Sequence, residues 1–313
     1  MPRRDIGQAT SLRKRSVPCA DVLIQGVLVC VASMSVRSST SQYALGSTDA
    51  EHERLIRQAG YLNPLTERLF QEAGIGPGQR VLDIGSGVGD VAMLAARLVG
   101  PSGEVVGIER DSRSIARART RVSETSLLNV SFTECDVSQP PRGQLFDAAV
   151  GRFILQFVSD PVAVLRRVSA MVRPGGVLVF QEVSYAPLLA LSSHLPLWSA
   201  SVAVARETVQ RSGANPEMGV ALYRNFQEAG LLPPTMRMEM LLGNTADFTL
   251  WIYDLLGSLR PKIEEHQVPL EALGDFDTLP SRLQSEVALS KTVVPYVALV
   301  GAWAHRPGNK ASL

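Results

Sequence analysis

The feature of this chain that most restricts its fold is a short apolar strand that runs directly into a glycine-rich loop. Residues 80–84 (Arg-Val-Leu-Asp-Ile) are typical of a β-strand, residues 85–90 (Gly-Ser-Gly-Val-Gly-Asp) follow, and residues 91–99 have a helical pattern. Glycines allow unusual backbone angles and a close approach of a ligand to the main chain. The N-terminus of the following helix presents unpaired N–H groups. The order of strand, glycine loop and helix therefore predicts a ligand-binding unit.

The alternation of strands and helices continues along the chain and predicts the fold class. β-rich runs occur at residues 104–108, 130–134, 146–150 and 177–182, and several of the segments between them have helical patterns. Strands separated by helices imply right-handed crossovers and a mainly parallel sheet. The sequence therefore predicts a doubly wound α/β fold.

The second half of the chain has a less regular pattern. It predicts strands at residues 235–242 and 293–304, and two insertions, 184–218 and 244–291, that form a helical cover. The large apolar side chains of these insertions could roof an apolar pocket, form the cores of the added helices, or mediate dimerisation. These side chains are Trp198, Phe248, Trp251, Tyr253, Leu255 and Leu256.

Two acidic residues near the glycine loop indicate the class of ligand. Glu109 lies 20 residues after Gly89, at the predicted end of the second strand, where a carboxylate can accept both hydroxyls of a ribose. Asp83 lies two residues before the loop, where its charge would repel a pyrophosphate but suit an ammonium or sulfonium group. The Gly-x-Gly-x-Gly spacing also differs from the Gly-x-Gly-x-x-Gly of dinucleotide sites. The residues therefore favour S-adenosylmethionine over NAD.

Residues 81–89 (Val-Leu-Asp-Ile-Gly-Ser-Gly-Val-Gly) resemble the signature loop of class I S-adenosylmethionine-dependent methyltransferases. Similar motifs follow at the expected intervals, at residues 106–109, 134–137, 146–147 and 173–176. The resemblance is specific over residues 43–183 and extends loosely to about 306. It implies a seven-stranded Rossmann-like sheet with an antiparallel last strand. It also implies S-adenosylmethionine as cofactor and S-adenosylhomocysteine as product. Residues 152–160 are similar to the small-molecule branch, which includes quinone and secondary-metabolite methyltransferases.

The same resemblance implies a set of cofactor-binding residues. The loop glycines would cradle the cofactor, Asp83 would support its amino-acid end, and Glu109 would bind the ribose. In related enzymes an aromatic residue before the first helix often covers the cofactor, and Tyr43 could do so or could pack on the core surface. The full set is Tyr43, Asp83, Gly85, Ser86, Gly87, Gly89, Glu109, Arg110, Asp136, Val137, Gly151 and Arg152.

Three residues are candidates for a role in the chemistry. Methyl transfer is a displacement at an activated carbon, so alignment of the acceptor is the main task, and a base is needed only when the acceptor holds a proton. Gln156 stands where many relatives have a histidine and could position the substrate or hydrogen-bond the backbone. Glu182 could bind or deprotonate a substrate, cap a helix or form a salt bridge. His194 could reach the substrate space or have a structural role.

The charge is divided unevenly along the chain. Residues 1–40 hold six basic and two acidic residues, a net charge of +4, whereas the whole chain carries +1, so residues 41–313 carry −3. Residues 1–40 are predicted to be an N-terminal extension that is disordered or, if translation starts near Met34, absent from the native protein. The basic triplet and apolar run in this segment also resemble a signal peptide, although Asp21 and Gln25 interrupt the run. Residues 41–313 are predicted to form the methyltransferase domain.

The remaining predictions concern function and partners. The charge of −3 and the lack of an Asn/Asp-Pro-Pro-Tyr/Phe motif after the fourth strand disfavour nucleic acid. No metal site is predicted, and no apolar run is long enough to predict stable membrane insertion. We expect a cytoplasmic monomer or homodimer that transfers a methyl group to O, N or C of a small, partly apolar acceptor. The alternatives are a non-catalytic protein of the same fold that binds the cofactor and an NAD-dependent oxidoreductase.

Overall fold

A computed structural model describes residues 48–137 and 145–308 of the chain. These described residues form one compact unit. The N-terminal extension, the alternative start at Met34 and the predicted cofactor cover Tyr43 lie outside the described residues.

The core of the fold is a seven-stranded sheet with the strand order β3-β2-β1-β4-β5-β9-β6. Strand β9 runs antiparallel to its neighbours β5 and β6, and the other pairings are parallel. The predicted doubly wound sheet with an antiparallel last strand is confirmed. The strands are β1 (Arg80–Ile84), β2 (Glu104–Glu109), β3 (Val130–Glu134), β4 (Phe146–Arg152), β5 (Val172–Ser184), β6 (Thr235–Glu239), β7 (Leu242–Gly243), β8 (Val294–Pro295) and β9 (Ala298–His305).

Helices cover both faces of this sheet. On β1, Val81 belongs to a core shared with the first three helices and Leu82 to a core shared with α4 and α7, because successive side chains of a strand point to opposite faces. The helices are α1 (Asp49–Glu72), α2 (Asp90–Val99), α3 (Ser112–Ser123), α4 (Pro161–Met171), α5 (Ala186–Leu191), α6 (Pro196–Arg211), α7 (Met218–Glu228), α8 (Ala246–Thr249), α9 (Trp251–Glu265) and α10 (Leu279–Leu289).

The strand order places the ends of three strands side by side. Ile84 at the end of β1 pairs with Ile108 of β2 on one side and with Gly151 of β4 on the other. The chain leaves β1 toward β2 and β3, then returns to the opposite side of β1 with β4. Ligands bind outside the carboxyl ends of the strands at such a reversal of strand order. The glycine loop, Glu109 and Arg152 therefore share one edge of the sheet.

Two predicted elements differ in the structure. The single strand expected at 293–304 is divided: Val294–Pro295 pairs with Leu242–Gly243 in a separate small sheet, and only Ala298–His305 joins the main sheet. Proline has no N–H to give to a ladder, which disfavours it in a central strand. The strand expected at 235–242 is shorter, Thr235–Glu239, and Leu242 pairs with Pro295 in the small sheet instead.

The apolar side chains of the predicted cover pack against one another. Trp198 is fully buried, and its ring centroid lies 5.9 Å from that of Trp251, which lies 4.9 Å from that of Tyr296. The structure therefore favours the core interpretation of these residues over the pocket roof. Within the described part of the chain, no helix is long and apolar enough to cross a membrane.

Candidate active site at the carboxyl edge of the sheet

All three glycines of the loop after β1 adopt positive φ. The values are +67° at Gly85, +50° at Gly87 and +88° at Gly89, a conformation that disfavours other residues. A Cβ on Gly85 would lie 2.7 Å from Ile154 Cδ1, and one on Gly89 would lie 2.9 Å from the Phe132 ring. A Cβ on Gly87 would meet no atom within 4 Å. Gly85 and Gly89 thus allow close packing, whereas Gly87 leaves open space beside the main chain.

Glu109 lies directly beside this open loop. Its Oε2 accepts a hydrogen bond from the N–H of Gly87 at 3.1 Å, and its Oε1 accepts from the N–H groups of Arg110 and Asp111 at 2.8 and 3.0 Å. The carboxylate is therefore fixed at the end of β2 and faces the glycine loop. This position suits the predicted contact with the hydroxyls of a ribose.

Two buried polar atoms next to the loop fit the amino-acid end of the predicted cofactor. Asp83 Oδ2 and Ser86 Oγ are buried and have no hydrogen-bond partner within the described ranges. Burial raises the pKa of Asp83 to about 7, against the opposing charge of Arg152. A buried acceptor without a partner is costly unless a ligand supplies one. An ammonium group would provide both the missing donor and the missing charge.

Arg152, at the end of β4, enters a buried polar network rather than solvent. Its Nη1 donates to Asn63 Oδ1 at 3.1 Å and to Thr66 Oγ1 at 2.9 Å, and Thr66 Oγ1 in turn lies 2.7 Å from Gln181 Oε1. Burial lowers the pKa of Arg152, while the charges of Asp90 and Asp83 act to raise it. The network joins α1, β4 and β5 beside the buried Asp83 carboxyl.

The loop after β4 carries Gln156 and is held by Glu182. Glu182 Oε1 accepts from the N–H groups of Ile154 and Leu155 at 3.0 and 2.7 Å, and burial raises the pKa of this carboxyl to about 8. Gln156 is 5% exposed, and its main-chain carbonyl oxygen accepts a hydrogen bond from the N–H of Asn215 at 2.9 Å. Of the interpretations open for Glu182, the capping of backbone N–H groups is the contact observed.

Arg110, Asp136 and Val137 of the predicted cofactor-binding set follow β2 and β3, which are neighbours in the sheet. The N–H of Cys135 donates to the carbonyl oxygen of Glu109 at 2.8 Å, so Asp136 and Val137 continue from a point next to Glu109. Asp136 and Arg110 are exposed, and Val137 is partly buried against the core. The strand order thus brings these residues to the same edge as the glycine loop.

His194 lies elsewhere in the fold. Its exposed ring contacts Thr292 through Nε2 at 3.2 Å. Thr292 lines a shallow groove of about 300 Å³ on the helical cover, together with residues such as Asn244 and Lys291. No described contact joins His194 to the glycine loop or to the loop after β4, which leaves its predicted catalytic role without structural support.

The structure adds site residues that the sequence analysis did not single out. Arg121 of α3 donates from Nη1 to the carbonyl oxygen of Val88 at 2.6 Å and from Nη2 to Asp90 Oδ1 at 2.7 Å, so it ties the glycine loop to α2. Thr66 and Gln181 surround Arg152. The sequence signal for Thr66 was a polar residue on the apolar face of α1, and the signal for Gln181 was a polar residue inside the apolar strand β5.

Comparison with known proteins finds similarity to methyltransferases. A family model described as a methyltransferase domain matches residues 75–230, about half of the chain. The ubiquinone/menaquinone biosynthesis C-methyltransferase of Cellvibrio japonicus is 34% identical over 129 residues, which cover 40% of this chain and 52% of that protein. The demethylmenaquinone methyltransferase of Staphylococcus aureus is 27% identical over 192 residues, which cover 58% and 78%. The match to the Cellvibrio protein therefore spans about half of that relative.

A solved structure supports the fold. A candidate methyltransferase from Bacillus halodurans superimposes with a TM-score of 0.52 at 18% identity, over 77% of this chain and 97% of that one. The sheet order, the glycine loop and the family match agree with one another. The chain belongs to the class I S-adenosylmethionine-dependent methyltransferases.

Proposed function

We propose that this protein transfers a methyl group from S-adenosylmethionine to a small, partly apolar acceptor at carbon, oxygen or nitrogen. The observation that carries the proposal is the buried carboxyl oxygen of Asp83 beside an open glycine loop, which has no hydrogen-bond partner among the described residues. Glu109 lies beside the same loop, where its Oε2 accepts from the N–H of Gly87 at 3.1 Å. A reduced quinone ring is the first acceptor to test, because two relatives are named as quinone methyltransferases.

The proposed contacts follow the order of the strands along the edge. Asp83 and Ser86 would hold the amino-acid end, Glu109 the ribose, and the main chain of the glycine loop the atoms between them. The adenine would lie near Arg110, Asp136 and Val137, the methionine part near Gly151 and Arg152, and Tyr43 would cover the cofactor. Each contact except that of Tyr43, which lies outside the described residues, uses a group at this edge of the sheet.

The cofactor, when bound, supplies a methyl group on a positively charged sulfur, which is already activated for displacement. The protein's part is then to align the acceptor and to exclude water. The loop after β4 would do this with Gln156, whose amide can hydrogen-bond an acceptor but cannot remove a proton at neutral pH. A glutamine at this position therefore suits an acceptor that needs to be aligned with the methyl group but does not need a base.

The setting of the reaction is part of the same proposal. We infer a cytoplasmic monomer or homodimer whose partner is a small molecule and not a nucleic acid. The net charge of −3 over residues 41–313 supports this, because nucleic-acid binding depends on clustered positive charge.

Two experiments test the proposal. Calorimetry should detect binding of S-adenosylhomocysteine, and NADH should give no heat. Labelled S-adenosylmethionine should then transfer its methyl group to a short-chain demethylmenaquinol, assayed beside phenolic and amine acceptors. Absence of heat with both S-adenosylmethionine and S-adenosylhomocysteine would contradict the proposal, and tight NADH binding would replace it with an oxidoreductase.

A further inference from the structure

Glu182 joins two parts of the candidate site that come from different strands. It lies near the carboxyl end of β5 and is fully buried. Its Oε1 accepts two backbone hydrogen bonds from the loop after β4, from Ile154 at 3.0 Å and from Leu155 at 2.7 Å. A single oxygen therefore fixes the start of the short 3-10 helix Leu155–Phe157.

The side chain of Ile154 extends this contact to the glycine loop. A Cβ on Gly85 would lie 2.7 Å from Ile154 Cδ1, and a Cβ on Gly151 would lie 3.0 Å from Ile154 Cγ2. Ile154 therefore packs against bare main chain at both positions. Its backbone is held by Glu182, and its side chain limits where the glycine loop can lie.

The loop needs such an anchor because its backbone is strained at the preceding residue. Phe153 has a φ of +58°, which is unfavourable for a bulky residue and persists only where the surroundings enforce it. The N–H of Phe153 donates to the carbonyl oxygen of Gln181 at 2.9 Å, and Glu182 holds the next two N–H groups. Adjacent residues of β5 thus keep the loop in this conformation.

We propose that Glu182 is a positioning residue for cofactor binding, which acts by holding Ile154 against the glycine loop. The inference rests on the proposed function, because it assumes that the glycine loop receives the cofactor. It does not require Glu182 to touch the cofactor or the acceptor. What it requires is an oxygen that accepts hydrogen bonds at the position of Oε1.

A matched pair of substitutions tests this requirement. Glu182→Gln keeps a side-chain oxygen for the two N–H groups, whereas Glu182→Met has a similar length, is also uncharged and has no oxygen. Calorimetric titration with S-adenosylhomocysteine should give an affinity within about twofold of wild type for Glu182→Gln and at least about tenfold weaker for Glu182→Met. Equal affinities of the two variants would overturn the proposal.

Two further measurements separate positioning from a general loss of stability. Ser184→Ala removes an equally buried hydroxyl two residues further along the same strand, and it should leave the affinity unchanged. Ile154→Ala should itself weaken binding about tenfold, and adding Glu182→Met to it should have little further effect. Additive losses would overturn the proposal, and full affinity in Ile154→Ala would overturn it even if Glu182→Met fails to fold.

Hydrogen exchange gives a readout that does not depend on the cofactor. The amides of residues 154 and 155 should exchange faster in Glu182→Met than in Glu182→Gln, and unchanged protection in both would overturn the anchoring role. If the two variants differ in this way but the wild-type protein binds no S-adenosylhomocysteine, the result would contradict the proposed function and leave the anchoring contact intact.

Discussion

Protonation of Asp83 should control the affinity for the cofactor product. Burial raises the pKa of this carboxyl to about 7, and its Oδ2 has no hydrogen-bond partner in the described part of the chain. An ammonium group placed against Oδ2 would stabilise the ionised form and lower the pKa well below its value in the free protein. Cofactor binding and loss of a proton from Asp83 are therefore expected to be linked.

The size of the effect follows from the pKa. If only the ionised form binds, the dissociation constant is multiplied by 1 + 10^(pKa − pH), which is about 11 at pH 6 and about 1.1 at pH 8. The affinity should therefore rise about tenfold, or about 1.4 kcal/mol, between pH 6 and pH 8. At pH 7, about half a proton should be released for each molecule bound.

Calorimetry with S-adenosylhomocysteine measures both quantities. This ligand has the amino-acid end without the sulfonium charge, and buffers with different ionisation enthalpies give the number of protons released. Asp83→Asn should bind at least about tenfold more weakly at pH 8 and lose most of the pH dependence. A wild-type affinity that changes less than twofold over this range, or a tenfold change that survives in Asp83→Asn, would refute the reasoning.

Three other predictions concern the loop and the stability of the fold. Gly87→Val should weaken S-adenosylhomocysteine binding at least about tenfold, because the valine side chain would fill the open space beside the loop. It should cost about 1–2 kcal/mol of stability, because residue 87 has a φ of +50°. Binding and thermal melting measure the two effects. Arg121→Met should weaken binding about tenfold through loss of both hydrogen bonds to the loop and α2, whereas Arg117→Met, which loses one exposed ion pair, should bind as wild type. The free energy of unfolding should fall as pH rises from about 4.5 to 8, because folded Glu182 keeps a proton that the unfolded chain loses. Urea unfolding should show a weaker pH dependence in Glu182→Gln than in wild type. The same pH dependence in both proteins would contradict this pKa.

The parts of the fold that the sequence predicts are those encoded by local patterns. The glycine loop, the strand before it, the helix after it and the position of Glu109 at the end of β2 follow from residue spacing alone. The division of the last strand at residues 293–304 was missed, because the run is apolar throughout and only Pro295 argues against a continuous central strand. Local periodicity cannot show which sheet a short strand joins.

The parts of the site that were missed depend on contacts between distant segments. Arg152 was singled out, but its partners Asn63 and Thr66 lie 89 and 86 residues away on α1. His194 was included because it follows a strand, yet the chain turns it toward Thr292, 98 residues away. These positions are set by how the helical cover and α1 pack on the sheet, and a residue's type and spacing carry no information on that packing.

The carboxyl groups at the two edges of the sheet differ in how their negative charges are compensated, and this difference supports the proposed site at the carboxyl edge. At the amino end of β4, burial acts to raise the pKa of Asp147, but hydrogen bonds from Arg173 and from the N–H of Arg80 outweigh it, so the pKa lies below its usual range and the charge stabilises the fold. At the carboxyl edge, burial dominates and raises the pKa values of Asp83 and Glu182 to about 7 and 8, and one oxygen of each has no hydrogen-bond partner within residues 48–137 and 145–308. Burial of an ionisable group without full compensation lowers the free energy of unfolding. For Glu182 the N–H groups of Ile154 and Leu155 offset part of this cost. For Asp83, beside the glycine loop, the ammonium group of a bound cofactor would offset it.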